Sequence, residues 1–400
     1  MKYKLQKDSG RPLRYVLLFG DGSFENRIPA PANPNYIPTY QSENSTVFVS
    51  SFTSDDFYGL LEDGEGEESG TLDIGIGRLP VSDTIQAGII VSKIMNYASA
   101  SNHGDWKNSV CLVADDEDGN THLTDAEGLS RILSDSIPWI NTSKIYCEAF
   151  RQVTTAAGQS YPEVTQAINE QINKGVLIFN YTGHGNEMSL AHERVLTAEN
   201  ISQWKNGSRL PLFITATCEF SRFDNIEKNI VTEEITGISS AGEKILLSRE
   251  GGGIAMMSTT RLAYSSPNYA LNKNIMDLAF DPDGEGNALR LGDIIRVAKN
   301  NSGNSSSKRN FHLLGDPATR LAYPWHGNIV TDSINNSRVN ETTDTLRALS
   351  LITVSGHVED QGGSVMTSFS GMVSPRVYGK ESVSFTLAND GGEKVEFRQQ

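Results

Sequence analysis

The chain has 400 residues, 38% of them hydrophobic, which is enough to bury a sizeable core and to form two or three domains. Its 49 Asp and Glu against 34 Lys and Arg give a net charge of −15, and no run of Lys or Arg offers a phosphate-tracking stripe, which argues against a nucleic-acid partner. Three cysteines cannot all pair within one chain, and neither a signal-peptide pattern nor an 18-residue apolar span is present.

In chain order, Arg14 to Phe19, Thr46 to Phe52 and Leu72 to Ile76 read as strands. Thr84 to Ser99 reads as a helix with Ile85, Ile89, Ile94 and Tyr97 at helical spacing. Together they predict a first α/β subdomain over residues 1–101. Asn102-His103-Gly104-Asp105 then reads as a linker or, equally well, as a loop within one large sheet. A second subdomain, 102–323, begins with a strand at Val110 to Ala114, a helix with Leu123, Ala126, Leu129 and Ile132 on one face, and a strand from Lys144 to Phe150. Cys111 and Cys147 fall in these strands and are expected as core residues rather than a disulfide, because neighbouring strands rarely bring two side chains to bonding geometry. Pro162 occupies a first helical position ahead of Val164, Ala167, Ile168 and Ile172. Ser240 and Glu243 form a capping box for a helix with Ile245, Leu246 and Leu247, and Gly253 to Ser258 is a further strand. Such alternation predicts an α/β fold with a mostly parallel sheet covered on both faces. Asn300 to Lys308 reads as an exposed loop. From Pro324 to Gln400 the composition turns to Ser, Thr, Val and Gly. Leu349 to Val358 and Ser382 to Leu387 alternate like strands, so 324–400 is expected to be part of an all-β sandwich, cut short.

Two apolar runs, Val176 to Tyr181 and Leu212 to Thr217, stop at Tyr181-Thr182-Gly183-His184-Gly185 and at Thr215-Ala216-Thr217-Cys218-Glu219. In α/β sheets ligands bind beyond the carboxyl ends of strands. There a thiolate at Cys218 would need a base, and His184 fits that role. Gly183 and Gly185 let the backbone turn beside the imidazole, and the N–H groups of Gly185 and Cys218 would form an oxyanion hole. The bland alternative is a small hydrophobe ending a strand beside an ordinary tight turn. A Cys-His pair usually has its imidazole oriented by a carboxylate, and Asp115-Asp116-Glu117-Asp118 ends the strand at Val110 to Ala114. A solvated acidic loop or a calcium site explains that cluster equally well.

Asn180-Tyr181-Thr182-Gly183-His184-Gly185 with Glu187, and Leu210-Pro211-Leu212-Phe213-Ile214-Thr215-Ala216-Thr217-Cys218, resemble the histidine and cysteine blocks of gingipain-type cysteine peptidases, a family caspase-like in its His-Gly and Cys arrangement. Within that family the run Ala216 to Asp224 is more similar to the sortase branch of the type IX secretion system than to true gingipains. Leu17 to Gly22, Ser54 to Tyr58, Ile76 to Pro80, Ser240 to Glu243 and Leu313 to Pro317 agree in the same order. The resemblance spans residues 13 to 323. It implies a catalytic domain of two α/β subdomains followed by the start of an immunoglobulin-like sandwich. It also implies a Cys218–His184 peptidase with Asp116, or Asp115, supporting the histidine. Glu127 lies where arginine-specific gingipains place an acid for the substrate's basic residue, and Glu219 would shape the substrate channel or cap a turn. No cofactor is implied as required, and a structural Ca²⁺ in an irregular loop is compatible with the family. The implied partners are the C-terminal signal domains of secreted proteins, a surface glycolipid as acyl acceptor and other outer-membrane proteins of the secretion system. The implied location is the cell surface of a Gram-negative bacterium, so an export signal is expected outside this segment and Met1 is expected to begin a truncated one. Two other readings stand beside it: a non-catalytic binding component of a secretion complex, and a general secreted gingipain-like protease.

The remaining motifs carry less. Gly20-Asp21-Gly22 lacks the spacing of a phosphate loop. Glu62 to Glu68 is an acidic run. Asp281 to Gly286 imitates an EF-hand start, but its twelfth position is Gly292, which offers no carboxylate. His192, His312 and His326 stand in polar or loop contexts with no zinc-ligand spacing, so no metal-ligating set is expected and a metallopeptidase is disfavoured.

Overall fold

A computed structural model describes residues 12–322 except 29, 44, 45, 48, 49, 67, 68, 100, 157, 285, 286, 304 and 305, and residues 328–399 except 340–345, 348, 361, 372, 374, 376, 390 and 391. Met1, Glu67, Glu68, Glu285, Gly286, Pro324, His326 and Gln400 lie outside the described residues.

Eight strands build one sheet: β1 (Tyr15–Phe19), β2 (Gly75–Leu79), β3 (Ser109–Ala114), β4 (Asn141–Tyr146), β5 (Ile178–Thr182), β6 (Leu212–Ala216), β7 (Ala255–Thr259) and β8 (Phe311–Leu314). Their spatial order is β1-β2-β8-β7-β6-β5-β3-β4. All neighbours are parallel except β7 and β8. Helices α1 (Thr84–Tyr97), α2 (Thr121–Ser136), α3 (Pro162–Lys174), α4 (Ala241–Leu247), α5 (Ser265–Ala279) and α6 (Leu291–Asn301) flank it. β2, β5, β6, β7 and β8 are buried at every residue, as strands covered on both faces must be. The main core lies around β5 and β6, where Phe179, Phe213 and Trp204 meet Val164, Ile168 and Ile172 of α3. Cys111 and Cys147 are buried free thiols. Among the described residues, no helix is long and apolar enough to cross a membrane.

Local signals act as the sequence predicts at two helix starts. Pro162 opens α3, and Ser240 caps α4, accepting the Glu243 N–H while Glu243 accepts the Ser240 N–H at 2.7 Å. Elsewhere the elements shift. The strand expected over Leu72 to Ile76 starts at Gly75, because both backbone groups of Leu72 are held by the side chain of Asn300 at the end of α6. The described part of Thr46 to Phe52 forms turns back to the Val47 carbonyl instead of a strand, and only Thr53–Ser54 pairs, with Tyr40–Gln41. β4 ends at Tyr146, where Cys147–Ala149 tightens into a 3₁₀ turn. On α1 the buried residues are Ile90, Lys93 and Tyr97, and Ile85 stays 65% exposed.

Residues 323–379 form a separate compact unit, in which the strand Asn328–Ile334 pairs antiparallel with Ser337–Arg338 and Val354–Glu359. Residues 380–400 cluster with the eight-stranded unit. Their hairpin, Ser382–Phe385 with Glu396–Gln399, sets Phe397 against the Tyr146 ring at 5.1 Å. The Leu387 N–H donates to the Glu148 carbonyl, and Asn389 bonds Glu148, Phe150 and Tyr161. The two stretches read in the sequence as strands of one sandwich therefore fall in different units.

Candidate active site

β5 and β6 are neighbouring parallel strands whose last paired residues are Thr182 and Ala216. His184 and Cys218 each stand two residues beyond that pair, so a strand spacing of about 4.8 Å brings the two turns together. Two glycines make the approach feasible. Gly183 has φ +156° with the Asp115 side chain behind it, and a Cβ on Gly185 would fall 2.5 Å from the Thr217 hydroxyl. The Gly185 and Cys218 N–H groups make no hydrogen bond among the described residues; the bridge from Gly185 to Leu190 is carried by Asn186 and Ala191.

The Cys218 thiol is partly buried and faces Ala263, 3.5 Å from both its N–H and its carbonyl. Burial pushes this thiol above its ordinary value, the Ala263 N–H opposes the shift, and the Glu219 charge adds to it. The His184 imidazole is turned to the acidic loop, with Nε2 3.0 Å from Asp118 Oδ2 and 3.6 Å from Glu117 Oε2. Its ring stacks on His192 at 4.9 Å and meets the edge of His122 at 5.3 Å. The His184 backbone is fixed too: its N–H donates to Asp115 Oδ2 at 2.8 Å, and the Tyr181 hydroxyl donates to its carbonyl at 2.7 Å. Burial drives the Asp115 carboxyl well up, opposed by the His184 N–H. Among the described residues thiol and imidazole share no hydrogen bond, and Nδ1 is without one.

Three expectations need correction. Asp116 does not touch the imidazole; it accepts from the Tyr161 hydroxyl at 2.7 Å and from Gln152 at 3.2 Å, and Asp115 reaches only the His184 backbone. The carboxylate on the ring is Asp118, because the chain reverses through positive φ at Asp118, Gly119 and Asn120 before α2 begins. Glu127 is not available to a substrate: it accepts from Lys144 at 2.7 Å and Tyr146 at 2.6 Å, on the β4 side of α2.

Glu219 sits at the site with φ +56°, a strained conformation for a non-glycine residue. Arg222 joins it, at 3.4 Å, to Glu187 from the histidine turn, and Asn225 also holds Glu187. Behind this layer, fully buried Asp224 forms a two-pronged pair with Arg261 at 2.8 and 2.6 Å, while the Arg261 carbonyl accepts the Glu219 N–H. Arg261 lies just past β7, so the cysteine loop is tied to the next strand.

The model of peptidase family C25 matches residues 1–322. The chain belongs to peptidase family C25. Members are cysteine peptidases of gingipain type, and the caspase-like α/β fold agrees. The crystal structure of the Arg-specific cysteine proteinase gingipain R (RgpB) aligns with a TM-score of 0.61 at 16% identity, covering 82% of this chain and 69% of that one. The complex of Porphyromonas gingivalis RgpB pro- and mature domains gives 0.62 at 15%, covering 82% and 71%. Dimeric latent PorU from the same organism gives only 0.37 at 18%, covering 99% and 32%, and carries no argument. No curated protein matches the sequence. For this C25 chain, His122, His192 and Asp118 are site residues that sequence spacing does not reveal, because turns separated by more than sixty residues bring them together.

Proposed function

We propose that this C25 peptidase is a PorU-like sortase of the type IX secretion system, acting at the outer-membrane surface on the C-terminal signal domains of secreted proteins. The observation that supports a Cys218–His184 dyad is their equal offset beyond adjacent parallel strands, beside two unengaged N–H groups. The sortase reading rests on the run Ala216 to Asp224, and on Glu127 being paired with Lys144 and Tyr146 instead of open to a substrate arginine.

The thiol turns from Ala263 and gives its proton to Nδ1 of His184, while Asp118 holds Nε2–H. The thiolate attacks the scissile carbonyl, and the oxyanion takes the N–H groups of Gly185 and Cys218. His184 then protonates the leaving amine as the C–N bond breaks, which leaves a thioester on Cys218. An amine of a surface glycolipid, or water, attacks that thioester, returns a proton to His184 and frees the thiol.

Intact-mass analysis of a secreted protein carrying its signal domain tests this. Wild type should release the domain and Cys218→Ala should not; release by Cys218→Ala refutes the dyad. Rapid turnover of small Arg amides without action on signal domains would instead favour a general protease.

A further inference from the structure

We propose that His122, Asp118 and His184 form a binding site for a divalent transition-metal ion, with zinc as the best fit, and that the ion inhibits the peptidase by occupying its general base. The inhibitory half rests on the reading of His184 given above; the binding half does not.

His122 lies in the first turn of α2. It is 3% exposed, yet among the described residues neither ring nitrogen has a hydrogen-bond partner. A buried polar group in that state calls for an explanation. The ring is aimed at the acidic loop: its Nε2 is 3.3 Å from Asp118 Oδ2, close enough to pair but not aligned to bond. His184 Nε2 approaches the same oxygen at 3.0 Å. The donor atoms of these three residues all lie within 4.8 Å of one another. Zinc bonds of about 2.0–2.2 Å place neighbouring ligand atoms about 3.3–3.6 Å apart at the tetrahedral angle; the 3.3 Å separation already fits, and the 3.0 Å one needs only a small widening. Two imidazoles and one carboxylate suit zinc or its transition-metal neighbours, whereas calcium takes six to eight oxygens. Asp118 and His184 are partly open to solvent, so an ion has a way in and water completes its shell.

Metal on Nε2 of His184 fixes the ring's proton on Nδ1, the atom that must accept the Cys218 proton. The thiol then stays neutral. Glu117 and His192, paired with each other at 2.7 Å, approach the same ring and are the competing set of donors, so His192→Gln separates the two sites.

The test uses the whole chain titrated with Zn²⁺, and with Co²⁺ as a coloured probe, in two readouts: metal bound at equilibrium dialysis, and Cys218 labelling by a peptidyl electrophile. One ion per chain should bind. Labelling should fall at least about tenfold and return when a chelator is added. His122→Gln and, at a more exposed position, Asp118→Asn should each weaken binding by about 10–100-fold, whereas His192→Gln should retain it. Cys218→Ala should also retain it. Unchanged affinity in both His122→Gln and Asp118→Asn overturns the site, and so does loss of binding in Cys218→Ala, which would put the ion on the thiol. Binding that survives these controls but leaves labelling untouched overturns the inhibitory role. Labelling of metal-free wild type compared with His184→Ala judges the dyad separately.

Discussion

Arg261→Met isolates one of the few fully buried charges around the cysteine loop. Asp224 has no exposed surface, and burial alone would raise its carboxyl; the Arg261 charge and hydrogen bonds, with those from Thr53 and Gln41, outweigh this and hold it at about 2. Without Arg261 the carboxylate keeps Thr53 and Gln41 only, since Arg222 Nε at 3.9 Å is beyond hydrogen-bond reach. Breaking a buried pair from one side costs about 3–5 kcal/mol, a large part of a typical total of about 5–15 kcal/mol. The Asp224 value lies below that of the unfolded chain, so its contribution in wild type is present above pH ~3.9 and lost as pH falls toward 2. In Arg261→Met the unpaired carboxyl is pushed upward instead, so the deficit should be larger at pH 7 than at pH 4.5. Adding Asp224→Leu should recover most of the loss. Urea unfolding of wild type and the two variants at both pH values, with Cys218 labelling beside it, measures this. A deficit below about 1 kcal/mol and equal at both pH values would place the pair among surface ion pairs and refute the reasoning.

Gly185→Ala should abolish Cys218 labelling while most of the sheet's amide-exchange protection survives, because the new Cβ meets the Thr217 hydroxyl at 2.5 Å. Glu219→Gln removes a charge that raises the Cys218 thiol, so the pH–labelling curve should move to lower pH. Glu127→Gln should leave any Arg preference unchanged within about twofold, yet lower stability by about 1–3 kcal/mol by leaving the buried Lys144 charge without its counter-charge; kcat/KM on peptide pairs and a urea titration check both halves. Burial raises the Asp21 carboxyl to about 7, against the Gly22 N–H and Arg78. A folded value above the unfolded one means that its contribution is present below pH ~4 and lost as pH rises through 7. Asp21→Asn should therefore lessen the fall in stability between pH 5 and 8, as followed by urea melts at each pH.

Strand ends were legible because β5 and β6 are short, wholly buried and sharply punctuated, and that places His184 and Cys218 on one edge. The choice among four consecutive acids was not, because it turns on the positive-φ reversal at Asp118 to Asn120, which no periodicity records. Glu127 misled for a similar reason: helical spacing gives its face, but its partners come from β4. Ile85 shows the limit of an apolar stripe, since one turn of drift exposes it while Lys93 goes inside to bond the carbonyls of Ile245 and Leu246. The three histidines near the site come from α2, the β5 turn and the segment after it, and only the sheet order makes them neighbours.

The hairpin of residues 382–399 adds a matter of timing. Glu148, Phe150 and Tyr161 beside the acidic loop receive bonds from Leu387 and Asn389, more than 220 residues later in the chain. During synthesis from the N-terminus the sheet, both turns and the cysteine loop are all made before those contacts exist, and a separate unit must follow first. Tyr161 also donates to Asp116, so this edge of the loop stays unfinished until the hairpin arrives. A newly made molecule thus passes through a stage with His184 and Cys218 already placed and the Glu148–Tyr161 edge still waiting for a distant piece of chain.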